Sequence, residues 1–239
     1  MDRLIFQGIE HSCNYFFYEV GYRLSRNNGV YDSDTGLEKL AYYADQFGLS
    51  DKSGVEISES APKVSDFDAI RSAIGQGTNN YSTVGLARYV TTVANSGSCY
   101  NLSLLSKATD ADGNLIADYT PTLRNTVDLK QSTWDAIHQG MRKVVEDKDY
   151  YKDLTIQVAG KTGTAQENRK RANHALFVCY APYEQPQIAI ATRIAFGYAS
   201  DYAAQVTKDI VKYYFKLEDE SSLITGTAES TNVVQSAGD

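Results

Sequence analysis

The stretch VAGKTGTAQ, residues 158–166, gathers the groups best suited to chemistry in this 239-residue chain. Lys161 supplies a positive charge, and Thr162 and Thr164 supply hydroxyls that can donate to an anion. Gly163, between the threonines, leaves room for a ligand to approach a strand backbone. Such a set can clamp a carboxylate or an oxyanion, but none of its side chains is a strong nucleophile in water. From local pattern alone the stretch also reads as an edge strand with a solvated lysine. A hydroxyl beside an amide would complete a proton relay, and Ser-x-Asn occurs three times: Ser12-Cys13-Asn14, Ser25-Arg26-Asn27 and Ser230-Thr231-Asn232. The second sits in a polar turn beside Asn28-Gly29, and the third lies in a polar C-terminal stretch. Only the first opens an apolar helical pattern, where Ser12 and Asn14 can be held over a cleft. Plain N-capping by Ser12 is the structural reading of the same residues.

The rest of the composition removes other chemistries. His11, His138 and His174 show no metal-ligand spacing, so no metal or cofactor is expected. Cys13, Cys99 and Cys179 are odd in number and far apart, which implies no disulfide framework. Of the net charge of −7, five units come from the acids of residues 217–239, which hold no Lys or Arg, so residues 1–216 carry −2. No basic nucleic-acid footprint is left, and Arg169-Lys170-Arg171 reads as a solvated turn between strands. No apolar run approaches the roughly 18 residues of a membrane span, and no signal peptide is visible at Met1.

The elements that must position the clamp follow from periodicity. Phe16, Phe17, Val20 and Leu24 fall at helical spacing after Ser12. DTGLEKLAYYADQFGL carries Leu37, Leu40, Ala41 and Ala44 on one face and stops at Gly48. After an irregular connector, Leu86, Ala87, Val90, Val93 and Ala94 form a helical stripe ended by Gly97. Residues 98–130 read as short extended pieces, with a hairpin turn at DADGNLI. STWDAIHQGMRKVVED is a capped helix with Trp134, Ile137, Met141, Val144 and Val145 inward. Residues 158–196 then hold three strand-like runs joined by short loops, which predict an antiparallel meander. A last helix turns Ala203, Val206, Ile210, Val211 and Tyr214 inward, and residues 217–239 are expected to be disordered. The fold class is α+β: helices, a small antiparallel sheet, then a closing helix.

Taken in order, the motifs SCNYFFYEVG, IGQGTNNYSTVGLARYVTTVANSG, WDAIHQGMRKVV, VAGKTGTAQ and HALFVCYAPYEQPQIAIA carry a family resemblance. From about Ile9 to Phe215 the chain resembles the C-terminal part of a penicillin-binding protein's transpeptidase domain. It is most similar to the class B enzymes of cell elongation and sporulation. The resemblance implies an incomplete transpeptidase fold of the penicillin-binding protein and serine β-lactamase type over residues 1–216. It also implies D,D-transpeptidation: an active serine attacks the penultimate D-Ala carbonyl of a stem peptide, releases the terminal D-Ala and passes the acyl group to an amine. Ser12 would relay the proton to the leaving amine, and Asn14 would hold the substrate amide. Lys161 would set the local positive field and help position Ser12. Thr162 and Thr164 would bind the substrate carboxylate or its β-lactam equivalent, Gly163 would leave the ligand room, and the Thr164 backbone N–H would supply an oxyanion donor.

The nucleophile of this family lies upstream, on a helix start of the form Ser-x-x-Lys. The 11 residues before Ser12 contain neither Ser nor Lys, and Ser60-Ala61-Pro62-Lys63 follows Ser12 instead of preceding it. The chain is therefore expected to be a fragment that lacks the nucleophile and is inactive alone. Its expected partners are peptidoglycan stem peptides, β-lactams and, through the N-terminal region, a membrane glycosyltransferase; self-association through an uncovered sheet edge is expected too. The full-length protein would act on the extracytoplasmic face of the bacterial membrane. Two alternatives stand beside this reading. One is a non-catalytic scaffold or binding protein with the same fold. The other, a β-lactamase, is disfavoured because no Glu-x-x-Leu-Asn string supplies the class A deacylation device.

Overall fold

The computed structural model describes residues 2–167 and 170–224. Helices α1 (Asp2–Glu10) and α2 (Asn14–Leu24) lead into a two-residue hairpin, β1 (Arg26–Asn27) and β2 (Val30–Tyr31). There follow α3 (Ser33–Gln46), the single turn α4 (Ala69–Ser72) and α5 (Thr83–Ala94). Strands β3 (Ser98–Asn101), β4 (Lys107–Thr109), β5 (Leu115–Asp118) and β6 (Thr122–Thr126) make two small antiparallel pairs, β3 with β6 and β4 with β5. Then come α6 (Gln131–Glu146), β7 (Ala159–Ala165), β8 (His174–Ala181), β9 (Ile188–Ile194), α7 (Ser200–Tyr214) and the one-turn α8 (Glu220–Leu223).

Strands β7, β8 and β9 form the expected antiparallel sheet in that order, with Lys161 opposite Val178 and Thr164 opposite Ala175. Successive side chains of a strand point to opposite faces, and both faces of β8 are apolar. Ala175, Phe177, Cys179 and Ala181 pack with Ile190 of β9 and with Ala203, Ala204 and Val211 of α7. Val178 and Tyr180 face the other way, against Val90 and Val93 of α5 and Met141 of α6. The sheet is thus a middle layer between α7 and the α5–α6 pair. Its alternation decides which face each residue of the VAGKTGTAQ stretch can occupy.

Three expectations change. Helix α6 starts at Gln131 behind Lys130, and no side chain caps it, so the cap expected for STWDAIHQGMRKVVED is not formed. On α7 the buried residues are Ala203, Ala204, Thr207 and Val211, while Val206, Ile210 and Tyr214 are exposed. The apolar band of α7 is wider than its contact with the sheet, so periodicity found the helix but misjudged its rotation. In the stretch expected to be disordered, Glu220–Leu223 forms one helical turn, and residues 225–239 lie outside the described residues.

Lys208 and Lys212 of α7 pair with Asp153, in the segment leading to β7, which puts that flank of α7 toward the β7 side. Val206, Ile210 and Tyr213 lie on the opposite flank, toward β9, whose outer edge has no strand partner among the described residues. Unpaired edges beside apolar surface favour association. Light scattering at increasing concentration is expected to show this chain self-associating, and a dilution-resistant monomer would contradict that.

Candidate active site

Ser12 is positioned by the end of α1, not by the start of α2. Its φ of 48° is left-handed, its N–H donates to the Ile9 carbonyl (3.2 Å), and the Cys13 N–H donates to the Gly8 carbonyl (3.0 Å). This pair of reverse bonds is a Schellman C-terminus, with Ser12 at the position usually given to Gly. Cys13 is the N-cap of α2 and makes no side-chain capping bond. The N-capping reading of Ser12 is therefore corrected. A one-residue left-handed corner turns the chain between two helices and leaves the Ser12 hydroxyl free to point outward.

Two glycines bring that corner to the sheet. A Cβ on Gly140 of α6 would sit 2.9 Å from both the Phe6 carbonyl oxygen and Ile9 Cβ, so α1 and α6 touch almost backbone to backbone. A Cβ on Gly8 would run into the Phe16 ring, so Gly8 leaves room for that side chain of α2 to pack on α1 at their shared corner. Helix α6 packs on β7 in turn. The result is that Lys161 Nζ donates to Ser12 Oγ at 2.5 Å and to the Thr162 carbonyl at 2.9 Å. Two residues 149 positions apart meet as the sequence reading expected.

Burial, and secondarily the positive charge of Lys148, push the Lys161 ammonium down to about 8. A lysine so placed holds a neutral fraction of roughly a tenth at pH 7, enough to exchange a proton with the hydroxyl it touches.

The other expected residues are disposed differently. Asn14 is the first residue of α2, exposed, and its side chain forms no hydrogen bond among the described residues. Thr162 and Thr164 alternate with Lys161, so they lie on the Phe177 and Ala175 face of the sheet. Their hydroxyls have no hydrogen-bond partner among the described residues, and β7 is an edge strand, so both remain available to a ligand lying along that edge. Gly163 has space the protein does not use: a Cβ there would meet only Leu176 Cβ, at an ordinary 3.6 Å. Gly160 is the opposite case, since its Cβ would fall 2.5 Å from the Phe177 ring. Packing demands the first glycine of the strand and leaves the second unexplained.

Elsewhere the sequence candidates are structural. Ser60 and Lys63 lie in a loop, where Lys63 bridges to Asn80 and pairs with Asp66 at 3.0 Å. His138 Nε2 is 2.8 Å from the Val93 carbonyl. Missed by the sequence reading were helix α1 and the corner it makes. The signal was the pair Gly8 and Gly140, which only a tertiary contact connects.

The left-handed Ser12 leads to a direct test. A non-Gly residue there costs about 1 kcal/mol of backbone energy. Ser12→Gly is expected to stabilise the chain by about that amount and Ser12→Ala to be close to neutral, in urea denaturation. Equal midpoints for the two variants would contradict the corner geometry.

Comparison with known proteins places most of the chain in one family. The family model described as "Penicillin binding protein transpeptidase domain" matches residues 4–212. Penicillin-binding protein 2B of Streptococcus pneumoniae is 26% identical over 241 residues, covering 88% of this chain and 35% of that protein. Its structure from strain R6 superposes with a TM-score of 0.77 at 25% identity, over 89% of this chain and 39% of that one. Peptidoglycan D,D-transpeptidase MrdA of Haemophilus influenzae is 27% identical, over 87% of this chain and 36% of its own length. The fold also matches an imipenem acyl-enzyme complex of penicillin-binding protein A from M. tuberculosis, with a TM-score of 0.75 at 21% identity, over 88% of this chain and 47% of that one. The chain thus spans about 35% of the length of the curated relatives it matches.

Proposed function

This chain belongs to the penicillin binding protein transpeptidase domain family, and on that premise we propose that it supplies the relay and anion clamp of a serine-type peptidoglycan D,D-transpeptidase. Residues 1–216 are one partial domain. The observation that carries the reading is the Lys161–Ser12 hydrogen bond, formed by a strained corner on one side and an edge strand on the other. In this reading Ser12 and Lys161 pass a proton to the departing amine of D-Ala, and Asn14 holds the substrate amide. Thr162 and Thr164 take the substrate carboxylate, and a β-lactam carboxylate competes for the same place. The attacking serine lies on polypeptide outside these 239 residues. A stem peptide is the substrate class, and the working location is the extracytoplasmic face of a bacterial membrane, beside a glycosyltransferase partner. No helix among the described residues is long and apolar enough to cross a membrane.

Gly163 gives the test. Because a Cβ fits there, Gly163→Ala is expected to leave stability within about 1 kcal/mol of the parent, or to raise it. The added methyl would stand where the ligand must lie, and reversible benzylpenicillin binding, followed by NMR titration, is expected to weaken at least tenfold. Unchanged affinity in a stable variant would argue that β7 is an ordinary edge strand.

A further inference from the structure

His174, the first residue of β8, pairs in register with Ala165, the residue that follows Thr164. Its ring is buried, with 7% of the residue exposed. The Phe196 N–H donates to its Nδ1 at 3.1 Å, so Nδ1 carries the lone pair and Nε2 carries the hydrogen. Nε2 then donates to the Glu167 carboxylate at 2.8 Å. Arg193 Nη2 of β9 lies 3.3 and 3.4 Å from the two ring nitrogens, and Arg171 lies over the Phe196 ring at 5.3 Å. The imidazole therefore ties three segments together: the end of β7 through Glu167, the start of β8, and the turn after β9.

That turn is strained. Phe196 and Tyr198 both have left-handed φ, 55° and 63°, on either side of Gly197. Non-glycine residues hold such angles only where their surroundings impose them. Here the bond into His174 and the Tyr198 N–H donated to the Asn173 carbonyl at 3.1 Å impose them. Glu167 has no such reason to turn back: it is exposed, two residues beyond the end of β7, and its bond to His174 draws the chain after Thr164 down onto the sheet.

We propose that His174 and Glu167 are positioning residues for the Thr164 end of β7, fixing the strand where the substrate carboxylate and the oxyanion donor are needed. The functional half of this rests on the transpeptidase reading above; the mechanical half does not. Without the tether, β7 beyond Gly163 is an edge held on one side only, and its last residues fray while Lys161, packed against α6 and Ser12, does not.

The experiment is ¹⁵N relaxation on this chain, with benzylpenicillin titration as the second readout. His174→Ala and Glu167→Ala are expected to lower the order parameters of Thr164 and Ala165 from about 0.85 to below about 0.6. Gly160 and Lys161 should stay rigid, and penicillin affinity should fall about tenfold. Glu167→Gln, whose amide oxygen still accepts from Nε2, is expected to restore both. Should His174→Ala fail to fold, Glu167→Ala decides, since that carboxylate is on the surface. Rigid Thr164 in Glu167→Ala, or uniform loosening of all of β7, would overturn the proposal. A parent chain that binds no penicillin would defeat the clamp reading, while the order parameters would still judge the tether.

Discussion

Incubated with excess benzylpenicillin, the 239-residue chain is expected to keep its intact mass, with no penicilloyl adduct. Acylation needs a serine whose proton a neighbouring base removes as the oxygen attacks. Among the described residues Ser12 is the serine beside Lys161, but at pH 7 roughly nine-tenths of that lysine is an ammonium that donates to the Ser12 oxygen instead of taking its proton. Its left-handed backbone closes the end of α1, and although α2 begins two residues later, no N–H of that helix's first turn donates to the Ser12 hydroxyl among the described residues. Oxyanion and carboxylate contacts alone can leave a residual ~10³–10⁴ acceleration over water, but no stable acyl-enzyme. Intact-protein mass spectrometry reads the outcome. A longer polypeptide that carries a Ser-x-x-Lys helix start should gain one penicilloyl mass and lose it when that serine becomes Ala. A stoichiometric adduct on the short chain, mapped to Ser12 or Ser60, would reverse the assignment and make that serine the nucleophile.

Lys161→Met should make the chain more stable and less functional at once. Burial lowers the Lys161 ammonium from its ordinary 10.5 to about 8, so the folded state carries a cost for the charge below pH 8. Methionine keeps most of the volume and removes the charge, for an expected gain of roughly 1–3 kcal/mol at pH 7. For a chain of this size that is about 2–4 °C in Tm for each kcal/mol. Between about pH 8 and 10.5 the folded parent has released the proton while the unfolded chain still holds it, so parental stability rises with pH across that window. The variant should lack that rise. In a longer, acylation-competent polypeptide the same change is expected to slow acylation by about 10²–10³, the typical loss for one preorganised electrostatic group. Urea titrations from pH 6 to 10.5 check the first part. A variant less stable than the parent at pH 7, with the pH-dependent rise intact, would mean that Lys161 is well solvated.

Much of this protein could be read from its residues in order. The meander of β7, β8 and β9 was legible because a strand buried on both faces writes a continuous apolar run, as in HALFVCYA. Helices α3, α5 and α6 were legible because their apolar residues recur at helical period; Gly48 stops α3 as expected, whereas the left-handed residue that ends α5 is Ser96, one before the expected Gly97. Lys161, Thr162, Gly163 and Thr164 stood out because packing alone does not ask for that combination on one strand. What sequence could not contain was the meeting of partners. Ser12 was assigned to the helix that follows it, since a serine before an apolar pattern is the usual N-cap, and nothing local announces a left-handed residue without glycine. The rotation of α7 was likewise hidden, because its apolar band is wider than the surface the sheet covers, and only the sheet's placement selects Ala203, Ala204, Thr207 and Val211. The roles of Gly140 and Gly163 look alike in the sequence. Tertiary structure separates them: at Gly140 another helix backbone fills the space a side chain would need, and at Gly163 the space is open. Short-range periodicity is set by backbone geometry and burial, which the chain encodes locally. Which faces meet, and which glycine faces a void, depends on distances between segments that are far apart along the chain.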